Sequence, residues 1–141
     1  MNSRAKGVRG ELAVAHLFKE YGYPAERGCQ HDGMTGHADV EGVPLLWIEV
    51  KRDEDLVVLK AIKQAERDST ARYQRTGEQL LPVVIHKKNR MPWHCTMRTL
   101  DFLIMCGMLP FGIEIPTDGL VTMVWEDWIK VFMTYERGEK K

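Results

Sequence analysis

Three side chains, Asp39, Glu49 and Lys51, stand within thirteen positions of one another. Glu49 and Lys51 are two apart at the end of the run Leu-Leu-Trp-Ile-Glu-Val-Lys, residues 45–51, which is apolar up to its last three positions. Residues two apart on a strand project from the same face. An acid and a base at the exposed end of a buried strand are costly unless they are paired or used. Asp39 falls on a second short strand, residues 38–41, joined to the first across Gly42-Val43-Pro44, so a hairpin sets it beside Glu49. Two converging carboxylates and a nearby backbone carbonyl form a hard oxygen site suited to Mg²⁺ or Mn²⁺. A lysine beside such a cation orients water and stabilises charge building on a phosphate. The plainer alternative is a surface ion pair between Glu49 and Lys51 or Arg52.

The elements that must carry these residues follow from periodicity. Residues 8–21 have the i, i+3, i+4 apolar spacing of an amphipathic helix, stopped by Gly22 and Pro24. An extended stretch, 25–30, leads into a polar loop, 31–36. After the hairpin, residues 56–75 contain neither proline nor glycine and repeat with helical period. Strands are expected at 80–86 and 93–97 around a basic turn, 87–92, and a short helix at 102–108. The order is that of an α/β domain around a mixed sheet flanked by helices.

A weak internal echo joins 95–103 to 121–129, with Thr, Met and Asp recurring 26 positions apart. It predicts a second strand-helix unit, an appendage over about 109–141 on a core of about 4–108, within one domain. The stripe Trp125, Trp128, Ile129, Phe132 and Tyr135 reads as a helix packed on the core, or as a partner face.

The 141 residues are 44% hydrophobic and 28% charged, the balance of an ordinary folded domain, and the formal charge is zero. Charge is nevertheless segregated. Residues 1–10 hold Arg4, Lys6 and Arg9 without an acid, and residues 79–98 hold Lys87, Lys88, Arg90 and Arg98 with His86 and His94, again without one. Such faces bind phosphate whatever the total. The longest apolar run is ten residues, too short to span a bilayer, and no secretory signal is visible. Three cysteines without a CxxC pair make a reducing cytoplasm the expected compartment. A zinc site drawn from Cys29, His31, His37, His94 and Cys95 has no usual spacing, and no P-loop or nucleophile triad stands out.

Asp39 with Glu49-Val50-Lys51 resembles the D-x(n)-E-x-K signature of the PD-(D/E)XK nuclease superfamily. Lys6-Gly7-Val8-Arg9-Gly10-Glu11 is similar to the Lys-Gly-x-x-x-Glu opening of archaeal and phage Holliday-junction resolvases, and residues 22–27 to that family's passage into its first strand. The resemblance covers about residues 4–103. It implies a restriction-endonuclease-like core with the order helix, three strands, helix, strand. It also implies a Mg²⁺- or Mn²⁺-dependent DNA endonuclease acting on branched DNA as a homodimer, in a bacterial or phage-infected cell.

On that resemblance Asp39, Glu49 and the Val50 carbonyl hold metal, Lys51 positions water and Glu11 completes the acidic cluster. Arg4, Lys6, Arg9, Lys87, Lys88 and Arg90 track the DNA backbone. Ala38 stands where the signature has proline. The loop Gln30-His31-Asp32-Gly33 lacks the serine of archaeal members, leaving His31 or Asp32 as a substitute, and Gln64 is where some relatives place a glutamine facing the site. Another nuclease on the same fold (nickase, flap or restriction-like) and a non-catalytic DNA-binding module remain open alternatives.

Overall fold

The computed structural model describes residues 3–28, 36–108 and 118–139. Helix α1 (Ser3–Glu20) leads to β1 (Glu26–Arg27), β2 (Val40–Glu41) and β3 (Leu46–Lys51). Then come α2 (Val58–Thr76), β4 (Leu81–His86), β5 (His94–Arg98), α3 (Thr99–Met105), β6 (Leu120–Val124) and α4 (Trp125–Glu139). The six strands form one sheet in the order β1-β2-β3-β4-β5-β6. Every neighbouring pair is antiparallel except β3 and β4, which α2 connects in parallel. This is the mixed α/β architecture expected, and α1-β1-β2-β3-α2-β4 repeats the order that the resemblance implies.

The alternation of β3 divides the two faces of the sheet. Leu46, Ile48 and Val50 point into the larger core, packed with Val14 and Phe18 of α1, Met105 of α3 and Trp128 and Phe132 of α4. Trp47, Glu49 and Lys51 point to the opposite face, where Trp47 packs on Ala65 of α2. Among the described residues, α2 is the helix that covers this side. Two cations fasten it: Arg72 reaches Glu41 at 2.9 Å, and Arg98 holds Glu66 with two bonds of 2.9 and 3.1 Å. The first tie also locks the end of β2, just after Asp39.

Helix α1 begins five residues before the expected start, so Glu11 lies inside it and not in its first turn. The hairpin closes at Gly42 with φ +92, where a side chain would meet the Pro24 carbonyl. The unit expected beyond residue 109 is present as β6 and α4, and both are built into the sheet and the core. The echo has a structural meaning: β5 and β6 lie side by side, with Thr96 opposite Thr122 and their hydroxyls 2.7 Å apart. Trp125, Trp128, Ile129 and Phe132 are all buried against their own chain. The aromatic stripe is therefore core and supplies no partner face. Among the described residues no helix is long and apolar enough to cross a membrane.

Candidate active site

Glu49 and Lys51 sit at the C-terminal end of β3, and Asp39 is delivered to them by the strand beside it. Asp39 N–H donates to the Ile48 carbonyl at 3.0 Å, and Val50 N–H donates to Asp39 Oδ2 at 2.9 Å. Because N–H and C=O of one strand residue share an edge, the Val50 carbonyl also faces the Asp39 side. Gly28 closes the other flank: its N–H donates to the Asp39 carbonyl, and a Cβ there would fall 1.9 Å from the Ala38 oxygen. Only glycine permits that approach.

Glu49 is 4% exposed, and Trp47 Nε1 donates to its Oε1 at 3.1 Å. Burial, then the Asp39 charge, pushes the Glu49 carboxyl up to about 8. Burial raises Asp39 too, against the lowering effect of the Val50 N–H. The charge on Asp39 helps keep the Glu49 carboxyl protonated. Lys51 Nζ donates to Gln64 Oε1 at 3.4 Å, so Gln64 faces the site from α2. These side chains line one cleft of about 540 Å³ with Lys6, Gly7, Glu11, Arg52, Asp53 and Glu54.

Glu11 lines that cleft, but its carboxylate is bonded to Arg27 of β1 at 2.5 Å. Burial raises it, and the Asp39 charge adds to this while Arg27 opposes it. Among the described residues no group of three His, Cys, Asp or Glu side chains is arranged to hold a metal. The arrangement is instead a pair, Asp39 and Glu49, with the third acid turned to arginine. Sequence reasoning had not singled out Arg27 or Trp47. Trp47 was findable, because it stands two residues before Glu49 on the same strand face.

The basic residues divide. Lys6 lines the cleft, and Arg4 and Arg9 are exposed on the same helix. The turn of Lys87, Lys88 and Arg90 follows β4, whose His86 is in register with Lys51, so it emerges at the same sheet edge. Lys87 N–H donates to the Lys51 carbonyl at 3.1 Å, its Nζ lies 5.9 Å from the centre of the Trp93 ring, and Asn89 N–H is bonded to Glu54. The rest of the basic run is spent otherwise. Arg98 is held by Glu66, while burial, with His94 and Lys88 beside it, pulls His86 down to about 4 and leaves it neutral at pH 7.

His31 and Cys29 lie outside the described residues. Cys95 and His94 are consecutive on β5 and point to opposite faces, so they cannot converge on one zinc ion.

No family model matches the chain, and no curated protein does. A solved structure does. The chain is similar to Hjc of Archaeoglobus fulgidus, a Holliday junction resolvase from an archaeal hyperthermophile, known at 1.6 Å resolution. The likeness covers 92% of this chain and 88% of that one, at 16% identity and a TM-score of 0.46.

Proposed function

We propose that this protein is a metal-dependent DNA endonuclease that hydrolyses phosphodiester bonds, selects branched or four-way-junction DNA, and works as a homodimer in the cytoplasm. The observation that carries the reading is the pairing of two buried carboxyls, Asp39 and Glu49, in a cleft that also holds Lys51. Two buried carboxylates that cannot both ionise without added positive charge fit a divalent cation, and Mg²⁺ in particular needs only one or two carboxylates and keeps several waters. Asp39, Glu49 and the Val50 carbonyl would hold it, as Mg²⁺ or Mn²⁺. A cation so bound supplies Lewis acidity and a more acidic water. Lys51, kept in place by Gln64, offers positive charge to the phosphate oxygens and a hydrogen bond to the attacking water. Two-fold symmetry of a four-way junction calls for two such sites, and the described residues of one chain hold one.

The test is a cleavage panel of strand-labelled four-way junction, flap, nicked and linear duplex, with Mg²⁺ and with EDTA. Paired, Mg²⁺-dependent cuts in the junction are expected. Equal nicking of linear duplex would replace the resolvase reading with that of a nickase, and DNA binding without any cutting would leave a binding module.

Glu11 separates two roles. Its position inside α1 removes the helix-dipole role of a first-turn acid. If it acts by fixing Arg27 beside the metal pair, Glu11→Gln should lower cleavage by ~10–100-fold, the range for a group supporting a metal site. Melting should shift by only a few degrees. Normal turnover in that variant would reduce Glu11 to an anchor for β1.

Lys87 and Lys88 are proposed to meet backbone phosphate. The double reversal Lys87→Glu, Lys88→Glu should weaken binding to every DNA and flatten the dependence of log K on log salt by about two phosphate contacts. An unchanged slope would take the turn out of the interface.

A further inference from the structure

Arg52 is a cation of the cleft, and among the described residues no acceptor is bonded to it. Its Nε is buried without a hydrogen-bond partner, and among the described residues it forms no ion pair. Acids surround it, yet each is engaged elsewhere: Glu11 with Arg27, Asp39 with the Val50 N–H, Glu49 with the Trp47 indole. Asp53 accepts from the Asp55 N–H and Glu54 from the Asn89 N–H. An arginine that lines a cleft among acids and is bonded to none of them can take an acceptor from a ligand.

The direction of Arg52 is also on record. A Cβ on Gly10 of α1 would lie 3.5 Å from the Arg52 Cβ and 3.5 Å from Val50 Cγ1, so Arg52 leaves the end of β3 toward α1. Lys51 leaves the other way, toward Gln64 of α2. The cleft therefore receives positive charge from both sides of the strand, with Lys6 beside Arg52 on the α1 side.

We propose that Arg52, with Lys6, holds a second phosphate of the DNA strand, next to the one cut at Asp39, Glu49 and Lys51. The planar guanidinium fork suits phosphate oxygens. This rests on the nuclease reading for its substrate, but its test does not depend on cleavage.

Arg52→Met keeps the aliphatic stem that faces Gly10 and removes the donors. Binding of the full-length variant and the parent to linear duplex and to a four-way junction is measured in EDTA, between about 50 and 200 mM salt. The variant should bind both DNAs about 5–10-fold more weakly and lose about one contact from the salt slope, with an unchanged or higher Tm. Arg52→Lys should restore the slope and only part of the affinity. A parent-like slope in Arg52→Met overturns the proposal, as does a lowered Tm with unchanged binding, which would make the arginine a packing residue. A parent that binds but never cuts, with the slope still shifted, upholds the phosphate contact while refuting the nuclease. A parent that binds no DNA refutes both.

Discussion

Glu49→Gln should abolish metal-dependent cleavage, by ~10³-fold or more, while leaving a folded chain that is more stable than the parent at alkaline pH. The amide has the shape of the protonated acid. Its oxygen can still accept from the Trp47 indole, and its NH₂ can donate to Asp39 in place of the protonated carboxyl. What disappears is the capacity to become an anion, and with it half of the carboxylate pair. Asp39→Asn should behave alike. Lys51→Met should lose a similar factor without altering cation binding, because the role proposed for Lys51 is toward the phosphate and water.

The sign of the pH effect follows from the same proton. Burial raises the Glu49 carboxyl from its ordinary 4.5 to about 8 in the folded chain. Between those values the native state binds more protons than the unfolded one, so stability falls as pH rises. The contribution is complete below the unfolded pKa and is lost as pH passes the folded one. The Gln variant lacks that slope. Melting curves at pH 6 and pH 9 should show its advantage widen by ~2 kcal/mol or more toward the alkaline end. Cation binding must expel the proton, so Mg²⁺ affinity of the parent should climb with pH up to about 8. A Glu49→Gln protein that cuts at the parental rate would end the assignment of this site.

Trp128→Ala should cost ~3–5 kcal/mol, a large share of the ~5–15 kcal/mol that holds a domain together. Trp128 is 1% exposed. Its ring stacks on Phe132 at 5.4 Å, meets Phe18 of α1 edge-on at 6.3 Å, and its Nε1 donates to Met97 Sδ of β5 at 3.5 Å. Truncation would open a cavity between α4, α1 and the sheet, three elements with little freedom to collapse into it. Tm should fall by roughly 10–20 °C. Because α1 also lines the cleft, cleavage should fail at temperatures where the parent still works. A loss under ~1 kcal/mol, the size expected for a surface position, would detach the C-terminal helix from the core.

The sequence by itself determined most of the skeleton of this site. Alternation in residues 45–51 put Glu49 and Lys51 on one face, and the turn at Gly42-Val43-Pro44 brought back Asp39, because both are consequences of local backbone geometry. The long run without glycine or proline marked α2, and the echo between residues 95 and 129 marked two strand-helix units. Tertiary structure alone decided what depends on neighbours distant in the chain. Arg27 captures Glu11 from sixteen residues away. His86 loses its charge to burial, and Arg98 is spent on Glu66, so only part of the basic run is free for phosphate. The aromatic stripe of α4 has the same periodicity whether it meets a partner or its own sheet. β6 settles that by pairing with β5 and turning α4 inward. Periodicity records which side of an element is apolar; what lies against that side is fixed only when the whole chain closes.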